Sequence, residues 1–153
     1  MTNNASVVVK PHLEYALKLL SYRPRSVAEI SDRLKGKKLS TKEINAIINK
    51  LKKLKLVDDD EFVKWWQSQR DSFRPKSYKI LSLELRKKGV SNEVISSNLD
   101  TSHEAELGRV KLAFKKKFKT ISFANPKEKQ KAIRYLASRG FSWDIIKITL
   151  TQT

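Results

Sequence analysis

Leu85-Arg86-Lys87-Lys88-Gly89-Val90-Ser91-Asn92-Glu93-Val94-Ile95 and Leu136-Ala137-Ser138-Arg139-Gly140-Phe141-Ser142-Trp143-Asp144-Ile145-Ile146 carry one pattern twice, 51 residues apart. A leucine is followed by a basic residue, a glycine, an apolar residue, a serine and an isoleucine in fixed register. A third copy precedes them: Leu34, Lys37, Leu39, Ser40 and Ile44. Pro24, Pro75 and Pro126 keep the same interval, and so do Ile48, Leu99 and Leu150. The first copy departs at one column, with Lys38 where the others have glycine and Gly36 two residues earlier. So many columns at one gapless offset read as three tandem units.

Within each unit the apolar residues fall at helical spacing. Leu13, Leu17 and Leu20 form one stripe, and Ile44, Ile47, Ile48, Leu51 and Leu54 form another. Ser26 with Glu29 has the spacing of a capping box. Ser40, Ser91 and Ser142 stand where the third helix of each unit needs an N-cap. Each second helix is expected to begin just after its proline, which suits a first turn but not an interior. Gly36, Gly89 and Gly140 sit where a left-handed residue would close the second helix. The helices expected are 11–22, 26–36 and 41–55; 59–72, 76–88 and 92–99; and 102–119, 127–139 and 142–151. The fold class is all-α: three tandem three-helix repeats, residues 1–58, 59–100 and 101–153, forming an elongated, curved, solenoid-like arm.

Composition narrows the function. Among 153 residues, 33 Lys+Arg stand against 16 Asp+Glu, a net charge of +17. Such self-repulsion is tolerable beside a polyanion, and nucleic acid is the usual one. The charge is uneven: residues 1–58 and 101–153 each carry +8, and residues 59–100 carry +1. No cysteine is present, which excludes disulfides, thiolate metal sites and a cysteine nucleophile. The longest apolar run, Val7-Val8-Val9, is far below the roughly 20 residues that span a bilayer. Met1 to Ser6 has no signal-peptide character. The chain is therefore read as a cytoplasmic monomer with no membrane segment.

Lys111, Lys115 and Lys119 are four apart and form one row on a helix. Arg109, Lys116 and Lys117 are expected to thicken that patch. The row repels itself, and an anionic surface would relieve the repulsion; the plain alternative is a solvated face. Lys50, Lys52, Lys53 and Lys55 surround Leu51, Leu54 and Leu56, with leucines expected inward and lysines outward. The basic residues Lys35, Lys37 and Lys38, then Arg86, Lys87 and Lys88, then Arg139, close the second helices, where cations complement the helix dipole. Phe62, Trp66, Phe141 and Trp143 read as packing residues, with Trp65 beside them. Asp58, Asp59, Asp60 and Glu61 read as a helix cap, since a calcium loop needs spaced ligands and a turn glycine. His12 and His103 have no partner at catalytic or metal spacing. No glycine-rich phosphate loop, nucleophile elbow or His-Glu-x-x-His occurs, so neither an enzyme nor a cofactor is expected.

Three stretches together carry a resemblance. They are Arg23-Pro24-Arg25-Ser26 with Glu29-Ile30, the junction Val57-Asp58-Asp59 running into Phe62, and Glu84-Leu85 with Lys88-Gly89. The chain resembles the RecX family of bacterial regulatory proteins over roughly 13–150. The third unit fits less well, and Asn125 stands where Arg23 and Arg74 stand in the other two. The resemblance implies three three-helix repeats and binding in the groove of the RecA–single-stranded DNA filament. Family members there limit filament extension, ATP hydrolysis, strand exchange and coprotease activity. It transfers no catalytic residue. The expected partners are the RecA filament and single-stranded DNA, bound weakly and without sequence preference, with duplex as a second form. The expected DNA contacts are Lys111, Lys115, Lys116 and Lys119, then Lys50, Lys52, Lys53 and Arg25. Two other readings fit the same composition: a stand-alone helix-turn-helix regulator of duplex DNA, and a protein-interaction solenoid whose charge serves solubility.

Overall fold

The computed structural model describes residues 4–119 and 124–152, and residues 1–3 of the N-terminal stretch considered above lie outside it. All regular structure among the described residues is helical. The helices are α1 (Asn4–Tyr22), α2 (Val27–Lys35), α3 (Thr41–Lys53), α4 (Asp59–Phe73), α5 (Tyr78–Lys87), α6 (Asn92–Asn98), α7 (His103–Lys117), α8 (Pro126–Ser138) and α9 (Trp143–Thr151). They form three successive triplets on the 51-residue period.

The periodic serines start the third helix of every triplet. Ser40, Ser91 and Ser142 each accept a hydrogen bond at Oγ from the amide three residues on, at 3.2, 3.2 and 3.4 Å. Ser26 and Glu29 close a full capping box at the start of α2. Three periodic apolar columns are buried throughout: Leu34, Leu85 and Leu136; Ile44, Ile95 and Ile146; Ile48, Leu99 and Leu150. One further column, Ile30, Leu81 and Ala132, is equally buried at the same offset.

Several expectations are corrected. Helix α1 begins at Asn4, not at Pro11; the proline removes one backbone bond but does not start the helix, which continues through Val9 packed on the apolar cluster. Pro24 and Pro75 lie two residues before the caps Ser26 and Ser77, outside the helices, and Pro126 alone occupies a first turn. In the third triplet Asn125 is the cap, accepting from the Lys127 amide at 3.0 Å. Gly36 is right-handed (φ −62°), and the left-handed residue of the first copy is Lys38 (φ 60°), in the column of Gly89 and Gly140.

The chain divides into two compact units, Met1–Trp65 with Leu85–Ser97, and Trp66–Glu84 with Asn98–Thr153. In the first, α1, α2 and α3 pack around Ile30, Leu34, Ile47 and Leu51. In the second, α7, α8 and α9 pack around Val110, Ala132, Leu136 and Ile146. Each unit also contains a joint between consecutive triplets, and the two joints are built alike. In the first unit, Ser26 Oγ donates to the Lys88 carbonyl at 2.6 Å, beside Gly89. In the second, the Ser77 amide donates to the Arg139 carbonyl at 3.0 Å, beside Gly140. Ser26 and Ser77 are fully buried there. Both glycines have positive φ, and both present a bare backbone to the start of the preceding triplet's second helix.

The motif residues of the sequence hold these units together. Arg23 pairs with Glu29 at 2.5 Å, and Lys88 Nζ approaches the same carboxylate at 3.8 Å. Asp58 caps α4 as expected, accepting from the Asp60 amide at 2.9 Å. Asp59 instead reaches α2, where its Oδ1 accepts from the Val27 amide at 2.9 Å. In the second unit, Glu84 accepts from Trp66 Nε1 at 2.7 Å, Arg70 Nε at 2.9 Å and Lys76 Nζ at 2.6 Å. Burial alone would raise the Glu84 pKa, but the bonds from Lys76, Trp66 and Arg70 outweigh it and hold the carboxyl below its ordinary range. A depressed carboxylate stabilises the fold above its unfolded pKa, and that contribution is lost as pH falls through the folded pKa. Glu84→Gln is expected to cost about 1.5–3 kcal/mol at neutral pH. Its deficit against the parent should shrink on acidification, as measured by urea unfolding at several pH values.

Candidate nucleic-acid interface

Helix α7 is fixed by its own ends and one apolar stripe. Ser102 caps it, accepting from the Ala105 amide at 3.1 Å. Lys115, Lys116 and Lys117 fill its last turn, where cations complement the dipole. Val110, Ala113 and Phe114 face the core, which turns Lys111 and Lys115 to solvent. Contrary to the expected helix 102–119, α7 stops at Lys117 because Phe118 leaves helical backbone (φ −120°), so Lys119 is exposed just past the helix and not in its row. None of these three lysines is in an ion pair among the described residues. They stand along a cleft of about 460 Å³ walled by Phe114, Phe118, Thr149 and Gln152. The cleft is the part of the site that sequence reasoning missed. Phe114 and Phe118, three residues after Lys111 and Lys115, were the available signal, but the opposite wall comes from α9 and the residue after it.

The other expected members of the patch are engaged elsewhere. Lys116 Nζ donates to the Ser72 carbonyl at the end of α4. Lys117 lies 5.7 Å from the ring centre of Tyr135. Arg109 is not on the surface: it is 3 % exposed and ion-paired with Asp71 at 3.2 Å and Glu106 at 3.4 Å. It also donates to Gln67 Oε1 at 3.2 Å, so its charge is consumed inside the unit.

The second expected cluster divides. Lys50, Lys52 and Lys53 are exposed on α3. Leu51 is buried, but Leu54 and Leu56 are 48 % and 45 % exposed, contrary to the inward reading. The helix ends at Lys53 and Lys55 turns left-handed (φ 57°), so the Leu56 amide returns to the Leu51 carbonyl and Val57 takes the core position. Lys52, Lys55 and Arg25 line a larger cleft, about 1020 Å³, shared with Asp58, Asp59, Asp60 and Glu61. Three cations against four carboxylates leave that cleft near neutral. Burial and the neighbouring Arg23 lower the Arg25 pKa, and its Nε is buried without a hydrogen-bond partner. Charge, not size, therefore favours the α7 row as the anion-facing surface. Of the aromatic residues, Phe62 and Phe141 are buried, Trp65 lies 5.9 Å from Phe62, and Trp143 is 55 % exposed, against its expected packing role.

Residues 13–51 match the profile of the first three-helix domain of RecX, and residues 104–150 match that of its third. Regulatory protein RecX of Chlorobaculum tepidum is 30% identical over 138 residues, covering 90% of this chain and 85% of that protein. The chain belongs to the RecX family. The RecX protein of Mycobacterium sp. (strain JLS) is 32% identical over 134 residues, covering 84% of this chain and 73% of its own length. That of Bacillus licheniformis is 34% identical over 148 residues, and the chain spans 56% of its length. The crystal structure of RecX from Lactobacillus salivarius superposes with a TM-score of 0.76 at 24% identity, covering 94% of this chain and 95% of that one. The fold is thus the RecX fold, and the family is one of regulatory proteins. No helix among the described residues is long and apolar enough to cross a membrane.

Proposed function

We propose that this RecX-family chain regulates the RecA recombinase by binding the RecA–single-stranded DNA filament and limiting its extension, ATP hydrolysis and strand exchange. The observation that carries the reading on this chain is the exposed lysine set Lys111 and Lys115 on α7 with Lys119 just past its end, none of them ion-paired among the described residues. Family membership supplies the partner, and the row supplies a surface for its nucleic acid. The basic first and third repeats grip phosphates, and the near-neutral middle repeat offers protein contacts. Regulation is then steric and electrostatic, with no bond made or broken by this chain.

The test is RecA ATP hydrolysis on single-stranded DNA, titrated with this protein at substoichiometric ratios. The parent chain lowers hydrolysis. Reversing Lys111, Lys115 and Lys119 to Glu weakens DNA binding at least about tenfold, because three phosphate contacts become repulsive. Helical content by circular dichroism is unchanged. The salt slope of single-strand binding also flattens by about 2, from roughly 0.7 per lost phosphate contact. Hydrolysis indifferent to the parent protein would refute the RecA assignment. A preference for one duplex sequence, with no effect on RecA, would favour a helix-turn-helix regulator.

A further inference from the structure

We infer that the cleft beside the α7 lysines seats an unpaired base of a single-stranded nucleic acid, while Lys111, Lys115 and Lys119 hold the phosphates that flank it. The inference rests on the DNA-binding part of the reading above and adds the chemistry of the contact. A bare lysine row binds any polyanion. These lysines are different because apolar surface opens directly beside them, at the half-buried Phe118 backed by the buried Phe114. The rings are held in place: Phe118 stands 5.6 Å from Phe114 and meets Tyr135 edge-on at 5.5 Å. A fixed aromatic platform binds a base with little loss of side-chain freedom.

The geometry of the row suits a strand laid along the helix. Lys111 and Lys115 are separated by about 6 Å along α7, from four residues at 1.5 Å each, which is the scale of the phosphate repeat in an extended single strand, and Lys119, past the helix end, continues the rim of the same cleft. Thr149 Oγ1 already donates to the Ile145 carbonyl, so it adds a wall and not a free donor. Gln152 is exposed at the rim and can offer its amide to a base edge. A duplex keeps its bases stacked inside, and extracting one costs a few kcal/mol. The site therefore selects single strands, with little preference among bases, since every base has a stacking face.

The experiment compares a labelled oligothymidylate with an abasic deoxyribose-phosphate chain of equal length and label, by fluorescence anisotropy on the full chain. The phosphates are the same and only the bases differ. The parent should bind the thymidylate about 5- to 150-fold more tightly, the range expected for one stacked base. Phe118→Leu keeps apolar volume but removes the ring, and should lower thymidylate affinity to the abasic level while leaving abasic binding unchanged. The parent comparison needs no variant, so it decides even if Phe118→Leu unfolds. Equal affinity for the two chains, with both lost on Lys111, Lys115 and Lys119 reversal, overturns the base seat and leaves phosphate binding standing. No affinity for either chain at low salt removes both. Displacement of the thymidylate by an acidic, aromatic peptide that binds more tightly would also overturn it, making the cleft a protein contact.

Discussion

Gly89→Ala lowers the stability of the protein by about 2–5 kcal/mol, the sum of a left-handed backbone penalty of about 1–2 kcal/mol and an overpacking cost of about 1–3 kcal/mol. The first cost follows from φ +80°. The second follows from the joint: a Cβ at Gly89 would lie 2.2 Å from Ala28 Cβ, which sits on a helix and cannot swing away. Gly140→Ala repeats the experiment in the second unit. There φ is +91° and the new Cβ would meet Ser77 Oγ at 2.3 Å and Ile80 Cγ1 at 2.4 Å. Two controls separate the causes. Gly108 lies inside α7 with nothing within 4 Å of a new Cβ, so Gly108→Ala should stabilise by about 0.5–1 kcal/mol. Lys38 occupies the same column as Gly89 with a left-handed backbone and an exposed side chain. Lys38→Gly should therefore stabilise by about 1 kcal/mol, the αL penalty without a clash. Adding Ala28→Gly to Gly89→Ala should recover the steric part and not the backbone part. Urea unfolding of the five variants beside the parent measures all of this, and a Gly89→Ala protein as stable as the parent would show that the joint does not depend on close approach.

Arg109→Met is expected to cost about 3–5 kcal/mol, because it strands a buried carboxylate without its counter-charge. Glu106 is 5 % exposed and accepts from the Tyr78 amide at 3.1 Å as well as from Arg109. Burial raises the Glu106 pKa, and the Tyr78 amide and Arg109 only partly offset it. Burial likewise raises that of Asp71, again opposed by Arg109. Removing Arg109 lifts both further. A carboxyl whose folded pKa lies above its unfolded value favours folding when protonated, and stability falls as pH rises through the folded pKa. The Arg109→Met deficit should therefore be larger at pH 7.5 than at pH 5. Adding Glu106→Gln should recover part of it, since the stranded charge is then gone. A deficit that does not change with pH would mean that Arg109 acts through packing alone.

The fold was legible where its causes are local. Ser40, Ser91 and Ser142 act on amides three residues away, and the buried leucine and isoleucine columns repeat because each triplet turns the same face inward. What was illegible depends on distant chain. Arg109 looks like one more cation of a basic helix until Gln67 and Asp71, 42 and 38 residues earlier, are brought beside it. Leu56 continues an apolar pattern, and the left-handed turn at Lys55 takes it out of register and gives its place to Val57. Pro11 resembles a helix start because a first-turn proline and an interior proline look alike in sequence. The site was half visible: spacing alone aligns Lys111 and Lys115, but Lys119 falls past the helix end at Lys117, and the cleft they border needs Thr149 and Gln152 from the last helix and the residue after it.

The middle triplet carries both a receptacle, the buried Ser77 opening its second helix, and a plug, the Gly89 turn closing it, while the first supplies only the receptacle Ser26 and the third only the plug Gly140. A copied module of this kind arrives with a compatible fitting at either end. Gene duplication would lengthen such a chain without inventing any new contact surface. Selection would then be left free to diversify the outward faces, as the contrast between the basic terminal copies and the neutral central one illustrates.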